Sequence, residues 1–319
     1  MNSPQVVDSL DALRELGGRP IWLAIGMFDG VHLGHRAVLN LAADAARGDN
    51  GMTVALTFPE HPAKFLRPGK EPPLLMDSET KVRDLLDAGV DYVVMRPFGK
   101  ALAEIPAEEF PVSLKDNIPS LRGICVGENF RFGQGRLGDA GTLRKIGEQL
   151  SLEVIVASSA VCGGVPVSSS RIRDALAEGE IKEVNAMLGR SYQVSGIVVP
   201  GKAKGSELGF PTLNLLWSPQ ARPAYGVYVV EATLAGANEA KPAVANYGVR
   251  PTVEGADVQP LLEVHLLGKE DFSSYQPGDE LSVELLCFLR PECKFDSLDS
   301  LKTQIAADKI EAEKLVLTL

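Results

Sequence analysis

Two textures divide the chain, and the change between them constrains its fold more than any single residue does. From Ile21 to about Ala160, short apolar runs alternate with helix-like stretches. The runs are IWLAIGMF at 21–28, TVALTF at 53–58, DYVVMRPF at 91–98, RGICVG at 122–127 and LEVIVAS at 152–158. They are continuously apolar rather than alternating, as parallel strands buried on both faces require. Between them, HRAVLNLAADAARG and ETKVRDLLDAG space apolar residues helically and end in Gly. A doubly wound α/β sheet is expected, with ligands beyond the carboxyl ends of its strands.

After about Arg190 strand follows strand: YQVSGIVV, GVYVVEATLA, PAVANYGV, LLEVHLL and LSVELLCFL, separated by turns containing Gly and Pro. Five or six such strands predict a small antiparallel β-barrel, with SLDSLKTQIAADKIEAEKLV as one amphipathic C-terminal helix packed on it. The boundary is expected near residues 184–190, giving domains at 1–186 and 187–319, and a length of 319 residues suits two domains.

Composition removes some functions. A formal net charge of −10 argues against a nucleic-acid binder, because Lys and Arg supply phosphate-backbone affinity. No apolar run reaches the roughly 18 residues of a membrane span, and the N-terminus lacks a basic-then-apolar leader pattern. A cytoplasmic protein without membrane partners is expected, monomeric or weakly self-associating. The four cysteines form no C-x-x-C pair and are expected to be buried free thiols.

The strongest motif is Gly26-Met27-Phe28-Asp29-Gly30-Val31-His32-Leu33-Gly34-His35, where the first strand should end and a helix begin. His-x-Gly-His puts two imidazoles on a strand-to-helix turn, and Gly34 allows close backbone approach to a ligand. A helix N-terminus favours phosphate, and imidazoles there can donate hydrogen bonds to the charge that develops when a nucleotide α-phosphate is attacked. A second helix start, Ser168-Ser169-Ser170-Arg171-Ile172-Arg173, offers hydroxyl caps together with guanidinium groups suited to a triphosphate.

Two other patterns compete with these. Gly133-Gln-Gly135-Arg-Leu-Gly138 fits G-x-G-x-x-G, but follows the polar stretch GENFRF, so a mobile loop over phosphates is preferred to a dinucleotide fold. His61 could join His32 and His35 at a metal, although no accompanying spacing supports it.

In the second half, Leu208-Gly209-Phe210-Pro211-Thr212-Leu213-Asn214 follows Gly-rich GKAKGSE, and no P-loop signature occurs. Glu263 interrupts the apolar LLEVHLL, where a carboxylate is costly without a task. By strand period His265 shares its face, where a structural role suits it better than a catalytic one. Arg250 and Arg290 suit either a phosphate or the surface.

With TFPEHP (57–62), PPLLMDSETKVRDLL (72–86), EEFPVSLKDN (108–117), VGENFRFGQGRLGD (126–139), ANYGVRPT (245–252) and FLRPECKF (288–295), these motifs carry a resemblance from about Ile21 to the C-terminus. The first half resembles nucleotidyltransferases with HxGH and SSTxxR signatures. The whole chain resembles the bacterial bifunctional riboflavin kinase/FMN adenylyltransferase (FAD synthetase) family.

The resemblance implies that riboflavin and ATP give FMN in the barrel, and that FMN and ATP give FAD and pyrophosphate in the α/β domain. It implies catalytic roles for His32, His35 and Glu263, the last as general base. Gly26, Phe28, Asp29, Gly34, Asn129, Ser168, Ser169, Ser170, Arg171 and Arg173 would bind nucleotide and flavin. In the barrel Gly209, Phe210, Pro211, Thr212, Asn214 and Arg250 would bind ATP and riboflavin, with Thr212 and Asn214 holding Mg²⁺. Riboflavin kinase alone, with another acceptor for the first domain, or a non-catalytic flavin binder are the alternative readings.

The chain departs from the family pattern at Leu213, Ser206, Glu60 and Ser170. Leu213 is expected to point away from the metal ligands.

Overall fold

Strands that are apolar on every residue need cover on both faces, and the N-terminal part of the chain supplies it. The computed structural model describes residues 5–15, 18–201, 209–234, 237, 239–249, 260–268 and 275–318. It divides into two units, Met1–Ser169 and Ser170–Leu319.

In the first unit β1 (Val6–Val7), β2 (Ile21–Ile25), β3 (Met52–Thr57), β4 (Tyr92–Met95), β5 (Leu121–Gly127) and β6 (Glu153–Ala157) form one parallel sheet. Its order is β1-β4-β3-β2-β5-β6. Ile21, Leu23 and Ile25 face a core completed by Phe110 and Leu114 of α3 (Glu109–Asn117) and Leu143 of α4 (Ala140–Gln149). Trp22 and Ala24 face the opposite core, with Val38, Leu39 and Ala42 of α1 (Leu33–Gly48) and Leu85 of α2 (Ser78–Asp87). Alternate residues of one strand thus feed two cores, the physical reason for the continuous apolar runs.

The strand order fixes where a site can form. From β2 the chain winds outward through β3 and β4, then returns to place β5 on the other side of β2. The loops after β2 and β5 therefore diverge, opening the crevice in which doubly wound sheets bind ligands.

In the second unit α5 (Ser169–Glu178) and α6 (Ile181–Leu188) precede a closed barrel. Its strands are β7 (Tyr192–Val199), β8 (Leu213–Leu216), β9 (Gly226–Leu234), β10 (Lys241–Val249), β11 (Pro260–Leu266) and β12 (Glu280–Pro291), closing in the order β7-β8-β11-β10-β9-β12. All barrel pairings are antiparallel. Closure leaves no open edge and gives each strand an inner and an outer face. Leu213, Val264, Ala245 and Tyr228 lie in one cross-strand row of buried side chains.

Helix α7 (Leu298–Val316) ends the second unit, opened by a capping box between Ser297 and Ser300.

Several expectations need correction. The first strand stops at Ile25 because the chain turns at once: Phe28, Gly30 and Val31 all have positive φ. The short LNLL segment is a full barrel strand, and Val6–Val7 adds an unexpected edge to the sheet. Helix α7 buries Asp308 and Ala312, and Leu315 and Val316 pack against the small core that Ala312 joins with Val229, Leu267 and Cys287, so a charged residue stands within the apolar stripe. Arg290 donates to both carboxylate oxygens of Asp308, at 2.6 to 3.1 Å, so an ion pair fastens this helix to β12. The cysteines also differ from expectation: Cys125 and Cys287 are buried, Cys162 is half-buried and Cys293 is exposed.

Candidate active sites

The turn between β2 and α1 lies at the switch point of the sheet. His32 is the N-cap of α1, and its Nδ1 accepts from the backbone N–H of His35 at 3.3 Å. That bond places the proton of a neutral His32 ring on Nε2. The two imidazoles stack with centroids 3.6 Å apart and planes 14° from parallel. Phe28, buried beneath them, meets His35 edge-on at 5.4 Å. A Cβ on Gly34 would lie 3.1 Å from the His32 ring, so this glycine makes room for an imidazole as well as for any ligand. Burial, then the charge of His32, then that of Lys81 push the His35 pKa well below its ordinary value. The His35 ring is thus suited to donate a hydrogen bond as a neutral imidazole.

The turn is strained and fastened. Phe28 has φ 49° and the β-branched Val31 φ 40°, conformations that cost of order 1 kcal/mol each. Thr57 Oγ1 donates to the Met27 carbonyl at 3.0 Å, and Ser169 Oγ donates to the Asp29 carbonyl at 2.9 Å. The Asp29 carboxylate, 1% exposed, accepts from the Leu75 amide at 2.9 Å. The structure therefore brings Ser169 to the histidine turn.

Asn129 stands exposed just after β5, on the other side of the crevice. Ser168 is exposed and Ser169 half-buried. In the second unit Ser170 is exposed, and Arg173 is half-buried on the first turns of α5. Arg171 donates through Nε at 3.1 Å, and through a terminal nitrogen, to Glu183 of α6. Its guanidinium is thereby held by a carboxylate of the neighbouring helix.

Both competing patterns resolve into local structure. The G-x-G-x-x-G segment is part of a hydrogen-bonded hairpin between Arg131–Phe132 and Gly138–Asp139. A Cβ on Gly133 would lie 2.5 Å from the Cα of Ala107, so packing demands this glycine. His61 Nδ1 accepts from the Ala63 amide at 3.1 Å. Among the described residues no three His, Cys, Asp or Glu side chains gather as a metal cage.

The barrel builds a second constellation by register. Asn214 of β8 pairs with Glu263 of β11, and Glu263 pairs with Asn246 of β10. Cross-strand partners share a face, so two carboxamides flank one carboxylate on the face opposite the row containing Leu213 and Val264. Leu213 therefore points away from Asn214, as its place on the strand predicts. Asn214 is 4% exposed, and its Nδ2 donates to the Thr212 carbonyl at 3.3 Å.

His265 fixes the loop that precedes β8. Its Nδ1 lies 2.7 Å from the Pro211 carbonyl, an acceptor, so Nδ1–H is the donor. The ring also meets Phe210 at 5.7 Å, while Gly209 turns the chain with φ 88°. Burial lowers the His265 pKa, the Pro211 bond opposes this, and the charge of Lys309 lowers it further. Arg250 and Ser206 lie outside the described residues.

Sequence reading missed two residues. Asn246 sat within a quoted motif, but only strand pairing places it beside Glu263. Lys81 of α2 lay within two quoted stretches without being singled out, yet it is fully buried and donates to the Phe58 carbonyl at 2.8 Å. The sole sequence signal was its place in the helical spacing of Lys81, Asp84 and Leu85, all buried.

Comparison with known proteins defines the class first. Residues 18–171 match the FAD synthetase family and residues 188–316 the riboflavin kinase family, so the chain joins two flavin-related transferase domains. It is 38% identical over 292 residues to the bifunctional riboflavin kinase/FMN adenylyltransferase of Escherichia coli (strain K12), spanning 92% of this chain and 91% of that protein. The protein of the same description from Haemophilus influenzae is 35% identical over 286 residues, 90% of this chain and 91% of that one. A crystal structure of a macrolide-efflux protein from Streptococcus pneumoniae is similar with TM-score 0.83 and 28% identity, covering 97% of this chain and 98% of that chain.

The chain belongs to the bifunctional riboflavin kinase/FMN adenylyltransferase family. No helix among the described residues is long and apolar enough to cross a membrane.

Proposed function

We propose that this chain makes flavin cofactors in two ATP-dependent steps, phosphorylating riboflavin in the barrel and adenylylating FMN in the α/β unit. The functional boundary is assigned at 186/187, between the end of the FAD synthetase match at residue 171 and the start of the riboflavin kinase match at 188. The observation that carries the reading is that each domain keeps a constellation suited to its own reaction: stacked His32 and His35 at a helix N-terminus, and Glu263 flanked across strands by Asn214.

In the adenylyl step a phosphate oxygen of FMN attacks the α-phosphorus of ATP. A new P–O bond forms as the bond to the β-phosphate oxygen breaks, and pyrophosphate leaves. The chain's contribution is position and charge stabilisation. The free N–H groups of α1 and the N–H donors of His32 and His35 face charge that builds on the α-phosphate. Gly26, Phe28, Asp29 and Gly34 shape the turn. Asn129 and the residues Ser168, Ser169, Ser170, Arg171 and Arg173 are assigned to flavin phosphate and nucleotide.

In the kinase step the terminal ribityl hydroxyl of riboflavin attacks the γ-phosphorus, and ADP leaves. Glu263 takes the hydroxyl proton as the new bond forms. The residues present fit Mg²⁺: Thr212 and Asn214 offer hard oxygens, and Asn214 Nδ2 donates to the Thr212 carbonyl at 3.3 Å, which keeps the two residues together. When bound, the ion neutralises phosphate charge. Gly209, Phe210 and Pro211, held by His265, shape the loop that presents Thr212. Arg250 is assigned to phosphate.

The test is incubation of pure protein with riboflavin, ATP and Mg²⁺, with flavins separated over time. FMN should appear first and FAD follow. FMN accumulating alone would direct the α/β unit to another acceptor. His32→Ala should lower FAD formation by about a hundredfold or more and spare FMN formation. Glu263→Ala should lower FMN formation by at least about a hundredfold and spare FAD formation from supplied FMN.

A further inference from the structure

A charged group buried in a core carries a cost that a well-packed apolar residue of the same length would avoid. Lys81 is 0% exposed, on a helix whose other inward positions are Asp84 and Leu85. Its ammonium donates to the Phe58 carbonyl at 2.8 Å, directly after the end of β3. The charge of Asp29, 1% exposed in the histidine turn, acts on it favourably. Asp29 in turn holds the Leu75 amide, in the segment leading into α2.

Three pieces of chain are therefore linked around one buried ammonium: the end of β3 by its hydrogen bond, the start of α2 that carries it, and the turn after β2 through the charge of Asp29 and the Asp29–Leu75 bond. That turn is the one containing Phe28 at φ 49° and Val31 at φ 40°. Such conformations persist only where the surroundings over-determine them.

From this geometry we infer that Lys81 is a positioning residue for adenylyl transfer, clamping the strained turn that presents His32 and His35. The inference rests on the adenylyl-transfer reading of the α/β unit. Lys81 is too deeply buried to touch substrate, so it acts through the turn. Two effects support one another. Mechanically, the Phe58 bond and the Asp29 charge hold the end of β3 against the turn, just as Thr57 holds the Met27 carbonyl. Electrostatically, the groups acting on His35 are His32 from the helix cap and Lys81 from α2, both opposing an imidazolium. Burial draws the Lys81 pKa down to about 8, against the pull of Asp29, so the lysine still carries its charge near neutral pH.

The experiment uses the full chain with Lys81→Met and Lys81→Arg, and riboflavin phosphorylation by the same sample reports an intact barrel. For Lys81→Met, kcat for FAD formation from FMN should fall on the order of ten- to a hundredfold, as misplacement of reacting groups does. KM for FMN and ATP should change little, and the kinase rate should not change. Lys81→Arg should recover part of the loss. NMR titration of the four histidines supplies a readout that a purely structural lysine would not move: His35 should titrate at higher pH in Lys81→Met.

A folded Lys81→Met with wild-type FAD formation would overturn the inference. So would a loss seen mainly in KM with the His35 titration unchanged. If Lys81→Met does not fold, Asp29→Asn, which removes the counter-charge, should show the same selective loss, and unimpaired FAD formation there would overturn it. If the wild-type chain itself forms no FAD, the adenylyl reading fails, while the His35 titration still decides whether Lys81 sets the charge at the turn.

Discussion

At His35 the folded chain holds an imidazole that resists protonation, and the unfolded chain does not. Its folded pKa lies below the ordinary 6.5, so as pH falls below about 6.5 the unfolded state takes up a proton that the folded state refuses. The stability tied to this residue is present above that pH and is lost on acidification, by up to about 1.4 kcal/mol per pH unit. Denaturant unfolding between pH 7.5 and 5.5 should show this slope, and His35→Gln should flatten it. The chain has two tryptophans, and Trp22 lies in the first unit while Trp217 lies in the second. A Trp217→Phe background therefore lets Trp22 fluorescence report the α/β unit alone. The departure at Glu60 also has a local account: its carboxylate pairs with Lys64 one turn along, both exposed. Such a pair contributes little.

Among the elements, α7 joins two kinds of attachment. Ala312, Leu315 and Val316 pack on the barrel core, and a buried polar pair is added to them. Asp308 is 7% exposed and accepts from Arg290 and, at 2.8 Å, from Gln304. Removing one partner of a buried pair leaves the other charge uncompensated. Asp308→Ala should cost about 3 kcal/mol of barrel stability, seen as a lower melting temperature, whereas exposed Glu313→Ala should change it little. Arg290 could not be assigned from sequence because phosphate contact and helix attachment use the same guanidinium. The element carrying Glu263 shows the opposite case. LLEVHLL is legible as a strand with an out-of-place carboxylate, but the neighbours of that carboxylate depend on which strands pair.

For the molecule as a whole, the two units differ in what lies between them in sequence. Helix α6 and all of α5 but its first residue, Ser169, fall in Ser170–Leu319. Asn185 of α6 accepts from the Tyr192 amide and donates to the Leu285 carbonyl, both at 2.8 Å, tying the helix to β7 and β12. A fragment of residues 170–319 should therefore melt higher than one of residues 187–319, by several degrees if these bonds together contribute about 1–2 kcal/mol. Equal melting temperatures would show that α6 adds nothing to the barrel.

The sequence by itself determined the two architectures, because hydrophobic period and turn chemistry act locally. His32, His35 and Glu263 also stand out from sequence, because their types are conspicuous in their settings. Tertiary structure alone decided which residues stand beside them. The parallel order β3-β2-β5 opens the crevice at the histidine turn, and the barrel register sets Asn246 next to Glu263. Helix α2, docked on the sheet, turns Lys81 into the interior, where a charge acts on His35. Each of these depends on pairing between distant segments, which no local pattern encodes, and burial then gives each neighbouring charge an influence that water would have screened.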